Sequence, residues 1–247
     1  GSVSEGLAYW DYGFGFYCLY NDMLKRYTYG RIDYFKNEKV KKLASFFPGI
    51  CMSNSTVYSF SDSSQKLSYT ISTLHYLNEI FGVGIPSEEY GLLNVWKFSW
   101  AVRAFLYYNP EAATEGIKNG ETYYEDLQCY IKRKDKYAFA IKGGHNKEEH
   151  NHNDVGSFVV VADDKQILCD LGAPMYNAYT FSKDAYESVV EKASFGHNVP
   201  IINGKGQGYG REFSGNLEVL ENEVVIDLKD AYINRPKKLL RRIKLLE

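Results

Sequence analysis

Apolar residues recur at helical spacing through the first part of the chain and at strand spacing through the rest. Residues 3–29 (VSEGLAYWDYGFGFYCLYNDMLKRYTY) put Tyr9, Tyr12, Phe16, Leu19, Tyr20 and Met23 on one side at 3.6-residue intervals, which predicts a helix. Ser2 or Ser4 can cap it, and Glu5 suits its first turn. Apolar residues run nearly all round this helix. It is therefore expected to be well buried, with the Tyr9/Tyr12/Phe16 stripe read first as core. Gly13 and Gly15 each weaken its middle by about 1 kcal/mol relative to alanine, and leave room for a second helix or a ligand to approach. A second helix is predicted over 35–47, stopped by Pro48-Gly49. Residues 49–66 are rich in Ser, Asn and Asp and read as a long loop of the kind that often carries function. Helices over 68–81 and 90–108 follow. The latter carries Trp96, Trp100 and Phe105 and is ended by Asn109-Pro110.

Residues 110–121 have the composition of a linker, and beyond them the period changes. Strands are predicted over 123–131, 137–142, 156–162, 166–169, 198–202, 218–228 and 239–245, with a hairpin turn at Asp163-Asp164. Residues 173–192 read as an irregular loop with one helical turn. Helical and strand patterns are segregated, so the expected fold is α+β in two domains: a helical domain over 1–115 and an antiparallel β-sandwich over 116–247.

Charge narrows the function classes. A net charge of -2 and a pI near 6.3 give no general pull toward nucleic acid or an anionic membrane. An acidic ligand on a local basic patch stays open. The late cluster Arg235, Lys237, Lys238, Arg241, Arg242 and Lys244 reads first as a solvated strand face and second as a surface for an anionic polymer. The cysteines, Cys18, Cys51, Cys129 and Cys169, lie far apart without a C-x-x-C and are expected to be mostly buried thiols rather than a disulfide pair. No apolar run approaches the ~18 residues of a spanning helix, and no signal peptide is visible. The 22 tyrosines and 14 phenylalanines suit a carbohydrate-binding cleft, although a large aromatic core has the same composition. Helical pattern begins directly after Gly1-Ser2, and the chain ends just after a strand-like run. Both are expected of a portion excised from a longer protein.

The chemistry concentrates in residues 145–172, HNKEEHNHNDVGSFVVVADDKQILCDLG. On an extended strand residues i and i+2 share a face, so His150 and His152 point together, with Asp154 if the strand continues. Asp170 ends the next strand across the hairpin, and His197 arrives after a loop. Two imidazoles and a carboxylate make a three-ligand site better suited to zinc than to calcium or magnesium. The plainer account is a set of surface polar residues or hydrogen-bonded histidines. The glycines in INGKGQGYG (202–210) lack the strand and helix of a nucleotide loop and read as turn and bulge material beside a site.

Together these motifs resemble the heparinase II/III-like family of polysaccharide lyases. Residues 137–175 resemble its central motif, SFGHNVPIINGKGQ (194–207) its second histidine motif, and DLKDAY with the basic strand after it (227–244) its sandwich domain. GSVSEGLAYWDYGFGFY is similar to the helix that carries the family's catalytic tyrosine. The resemblance implies the last part of an incomplete α/α toroid joined to an antiparallel β-sandwich with the cleft between them. It implies structural zinc on His152, Asp170 and His197, and catalysis by Tyr9 and His150. Tyr12 stays an alternative base, and Tyr176, Tyr179 and Tyr186 compete for a second cleft tyrosine. A further family residue that neutralises the substrate carboxylate normally lies in an earlier helical region, which this sequence does not contain.

The implied reaction is β-elimination on a uronic-acid-containing glycan, in which Tyr9 moves the proton and His150 neutralises the carboxylate or acts as base. The implied partner is an anionic polysaccharide, with no nucleic acid and no membrane. The oligomeric state is left open, a dimer being one option, and the implied location is the periplasm or exterior of a bacterium. Two other classes stay in view: a zinc hydrolase using metal-bound water, and a glycan-binding or structural module without catalysis.

Overall fold

The computed structural model describes residues 2–64, 68–87, 89, 91–92 and 97–244. The N-terminal helix is built of α1 (Leu7–Tyr9), a π-helical turn (Trp10–Phe14) and α2 (Gly15–Tyr27). The π turn begins directly after Tyr9; such turns are frequent at functional sites. The buried face is Leu7, Trp10, Phe14 and Cys18, whereas Tyr12, Phe16, Tyr20 and Met23 are exposed. This reverses the expected core stripe. Both faces carry aromatics, so periodicity finds the helix without choosing its inner side. Packing chooses it: the Trp10 ring lies 5.6 Å from Phe47, and its Nε1 donates to the Leu43 carbonyl.

The expected helix over 35–47 is a 3-10 turn (Tyr34–Lys36), α3 (Glu38–Ala44) and α4 (Phe46–Ile50). Pro48 does not stop it, because it falls in the first turn of α4, where a missing N–H costs little. Next, β1 (Tyr69–Thr70) pairs in parallel with β2 (Gly91–Leu92), with α5 (Ile71–Phe81) between them in sequence. Of the expected helix over 90–108, Gly91–Leu92 is extended and α6 (Phe98–Tyr107) is helical. Tyr90 and residues 93–96, Trp96 among them, lie outside the described residues. Gly15 meets α6 closely: a Cβ there would fall 1.9 Å from Nη1 of the buried Arg103. No helix among the described residues is long and apolar enough to cross a membrane.

Two antiparallel sheets follow. The five-stranded sheet runs β3 (Gly120–Tyr124), β4 (Cys129–Lys134), β5 (Tyr137–Lys142), β7 (Phe158–Ala162), β8 (Lys165–Leu168). The four-stranded sheet is ordered β11-β10-β9-β6, from β6 (Gly144–Asn146), β9 (Gly210–Val219), β10 (Glu223–Asp227) and β11 (Leu240–Lys244). The runs expected as single strands over 123–131 and 218–228 each contain a hairpin turn, one of them at Gln128 with φ 48°. Leu127 is buried, so the apolar pattern continues through that turn and hides it. Residues 198–202 are not a strand; Ile202 makes only a bridge to Lys205. Asp163 and Asp164 form the expected turn, both left-handed at φ 47° and 61°.

Both faces of the central strands β4, β5 and β7 are covered, as their near-continuous apolar runs require. Alternate residues serve different cores. Cys129, Ile131, Ala138, Ala140, Val159 and Val161 join one cluster with Leu7, Trp10 and Phe47 of the helices. Tyr130, Phe139 and Ile141 point the other way and join Leu217, Val224 and Ile226 of the four-stranded sheet. The chain crosses between sheets at Gly143, where a Cβ would sit 3.1 Å from the Gly215 carbonyl. Cys18, Cys51 and Cys129 are buried free thiols, and Cys169 is an exposed one.

Candidate active site and metal cluster

The loop from β6 to β7 carries the histidines. It is not extended where the sequence pattern expects a strand: His150 is left-handed, with φ 56°. The i, i+2 argument for a shared face therefore fails. The loop is held by buried amides instead. Asn153 Nδ2 donates to the carbonyls of Tyr186 and Gln207, at 3.1 Å each. Gln207 bonds both main-chain groups of Val155, accepting from its N–H at 3.0 Å and donating to its carbonyl at 2.7 Å. The glycine-rich turn around Gln207 thus braces the histidine loop.

The two histidines nevertheless meet one carboxylate. Asp62, 6% exposed, comes from the Ser- and Asn-rich loop before β1. Its Oδ2 lies 2.7 Å from His150 Nδ1 and its Oδ1 lies 3.0 Å from His152 Nε2. Tyr176 donates its hydroxyl to Oδ2 at 2.6 Å. Burial by itself would raise the Asp62 carboxyl, but the bonds from His152, Tyr176 and His150 outweigh it and hold the group at about 2. Asp62 is thus ionised at neutral pH, and an ionised carboxylate only accepts. The nitrogens facing it therefore carry protons.

Of the tyrosines named from sequence, the fold brings two to His150. The Tyr9 hydroxyl lies 3.5 Å from Nδ1, with ring centroids 4.4 Å apart. The Tyr176 hydroxyl lies 3.4 Å from the same atom. They differ in one respect. Burial, and then the hydrogen bond to Asp62, push the Tyr176 phenol well above its usual range, so its proton is held. Among the described residues no carboxylate is hydrogen-bonded to Tyr9. Tyr12 is exposed and packs edge-on to Phe16, Tyr179 bonds Ser188 at 2.7 Å, and Tyr186 stacks on Tyr209 at 4.0 Å under the Lys192 ammonium.

Deeper in, His152, Asp170 and His197 are all buried, and one ligand atom of each lies within 4.8 Å of the others. Asp170 follows β8, and its Oδ2 lies 2.6 Å from His197 Nδ1. Burial disfavours the His197 imidazolium, but the Asp170 carboxylate outweighs it and raises the imidazole above its ordinary value. His152 Nδ1 and His197 Nε2 are buried without a hydrogen-bond partner among the described residues. Orphaned buried nitrogens are costly and rare, and a metal ion bound between them would satisfy both. The cluster could therefore coordinate a metal. Asp154 is buried but stands outside this group.

Gly172 ties the two halves together. Its N–H donates to Asp170 Oδ1 at 3.0 Å, its φ is 74°, and a Cβ there would fall 2.4 Å from the carbonyl oxygen of Ser63, next to Asp62. Gly172→Ala is expected to cost more than about 1 kcal/mol in a urea melt, since the left-handed backbone and the contact both oppose it. A melt within error of wild type would refute this.

Sequence reasoning missed Asp62, Asn153 and Gln207. For Asp62 the only signal was the long polar loop around it; nothing in the sequence pairs it with histidines 88 and 90 positions away.

With a helical N-terminal region, two antiparallel sheets and a His/Asp/His cluster, the chain has an α+β architecture of the heparinase type. At family level it resembles the heparinase II/III-like proteins: residues 124–237 match the family described as "Heparinase II/III-like, C-terminal". The fold is similar to a crystal structure of heparinase III, with a TM-score of 0.52 and 16% identity over 83% of this chain and 31% of that one. It is also similar to a second heparinase III structure, with a TM-score of 0.51 and 13% identity over 78% of this chain and 28% of that one. The chain thus spans less than a third of the length of these solved structures. No curated protein matches its sequence.

Proposed function

We propose that the chain is part of a polysaccharide lyase that cleaves a uronic-acid-containing glycan by β-elimination. The observation that carries this reading is the meeting of Tyr9 and His150, 141 residues apart, with a phenol and an imidazole at 3.5 Å and the imidazole tethered to a buried carboxylate. The proton at C5 of a uronate is acidic because it is α to the carboxyl group. Removing it places negative charge on that group, while the C4–O4 bond breaks and a C4–C5 double bond forms. A phenol can take the C5 proton as phenolate and return it to the departing O4. Tyr9 takes this role, and His150 neutralises the carboxylate or serves as base, according to the C5 epimer. Tyr176, whose proton is held by Asp62, lines the site without exchanging it.

His152, Asp170 and His197 would hold a structural zinc ion, which stabilises the loops carrying His150. Burial of all three favours this over a hydrolase, whose metal needs an open position facing substrate. In this reading residues 1–115 are the last part of an incomplete α/α toroid and residues 116–247 an antiparallel β-sandwich. The partner is an anionic polysaccharide, met in the periplasm or outside the cell. The test is incubation of the full-length protein with heparan sulfate, hyaluronan, chondroitin and alginate while following the ultraviolet absorbance of the unsaturated uronate product. Absorbance on at least one is expected; none on any, with zinc present, overturns the reading.

A further inference from the structure

We infer that Asp62 is a positioning residue that sets the tautomers of both loop histidines at once, so that His150 offers an unprotonated Nε2 to the cleft and His152 an unprotonated Nδ1 to the metal cluster. The inference deepens the proposed function, and rests on it for the role of His150 as base, since a bare Nε2 accepts a proton and cannot neutralise a carboxylate. Its grounds are geometric. One buried carboxylate spends one oxygen on each ring, Oδ2 on His150 Nδ1 at 2.7 Å and Oδ1 on His152 Nε2 at 3.0 Å. An acceptor-only group facing a ring nitrogen requires a proton there, and in a neutral imidazole the other nitrogen is then bare.

The remaining nitrogens fit this assignment. His152 Nδ1 is buried with no hydrogen-bond partner among the described residues, as a nitrogen kept for a metal would be. The His150 side chain is 25% exposed, its Nδ1 proton goes to Asp62 at 2.7 Å, and the Tyr176 and Tyr9 hydroxyls, at 3.4 and 3.5 Å, stand on the same Nδ1 side of the ring. Among the described residues no hydrogen bond engages its Nε2, which leaves that nitrogen for a ligand. Tyr176 completes the device by donating to the same Oδ2, which fixes the carboxylate's rotation. The contact also links the two sites mechanically. His150 stands on a left-handed residue in an irregular loop, and Asp62 fastens it to His152, which is fully buried. An ordered cluster therefore holds the reactive histidine in place through one side chain.

The test is long-range proton–nitrogen correlation on the whole chain with nitrogen-15 in its histidines, the His150 and His152 signals being identified by their loss in His150→Asn and His152→Asn. Wild type is expected to show His150 protonated at Nδ1 and His152 protonated at Nε2. A His150 protonated at Nε2 overturns the inference, and this needs no Asp62 variant to fold. In Asp62→Asn, whose amide can donate as well as accept, His150 is expected to become a mixture of tautomers. The kcat is then expected to fall by about 10–100-fold with KM little changed, the usual penalty for losing such a partner. Unchanged tautomers and kcat in a folded Asp62→Asn protein likewise overturn it. If wild type shows the expected tautomers but no lyase activity, the tautomer assignment stands and the lyase reading falls.

Discussion

Tyr9→Phe is expected to lower the rate of glycan elimination by about 10²–10⁴-fold, the range that a positioned proton-transfer group supplies. The substitution leaves most of the site unchanged. Phenylalanine keeps the ring that packs 4.4 Å from the His150 imidazole and removes only a hydroxyl that lies 3.5 Å from His150 Nδ1. Stability should therefore stay within about 0.5 kcal/mol of wild type, and the loss should fall on kcat. Controls follow from the geometry. Tyr12→Phe and Tyr179→Phe alter hydroxyls that do not touch His150 and should be near wild type. Tyr176→Phe removes a bond to Asp62 and should be intermediate, through His150 rather than through lost chemistry. Initial rates of the four variants at saturating substrate, beside their melting curves, make the comparison. A Tyr9→Phe protein with full rate would move the base to another residue.

His152→Ala is expected to strip the metal and destabilise the fold, both by large amounts. His152 is fully buried, and its Nε2 bonds Asp62. Its removal leaves a cavity and an ionised carboxylate oxygen without its partner, at a cost of about 3–5 kcal/mol for such a broken buried pair. Loss of metal adds the free energy of binding, which a folded site contributes to stability by mass action. Elemental analysis should find about one zinc per chain in wild type and little in the variant, since a ligand is gone rather than only a supporting partner. A chelator separates the two contributions: it should lower the melting temperature of wild type and leave that of His152→Ala where it is. Equal sensitivity of both proteins to chelator would remove zinc from these residues.

How far the sequence could be read is seen best at individual residues. His152, Asp170 and His197 were legible as candidate ligands from residue type, from their order, and from the motifs they stand in. Strand alternation is nevertheless not what pairs His150 with His152. The loop is not a strand, and the left-handed His150 breaks the two-residue alternation. The rings converge because Asp62 draws both, and a carboxylate 88 residues away has no local signature. Tyr9 was separable from Tyr12 only by resemblance, since both lie on the same helical stripe; the fold separates them by placing one against His150 and the other in solvent. The same helix shows the limit of periodicity. Periodicity predicts a helix over 3–29, and one is present over 7–27, but its inner face is the other one, because Leu7, Trp10, Phe14 and Cys18 are as regularly spaced as the predicted stripe.

What the sequence by itself determined is local: helices up to residue 108, strands beyond a linker over 110–121, the Asp163-Asp164 turn, mostly buried thiols in place of a disulfide pair, and a shortlist of histidines, aspartates and tyrosines fit for metal and proton chemistry. These follow from backbone preference and side-chain type, which act over a few residues. The tertiary structure alone decided which shortlisted groups meet. It set Tyr9 and Tyr176 against His150, left Tyr12 and Tyr179 aside, buried the His/Asp/His cluster, and brought in Asp62. Those choices depend on packing between segments far apart in the chain, above all the helices and the five-stranded sheet that share one apolar cluster. No pattern within a segment records which distant surface it will bury against.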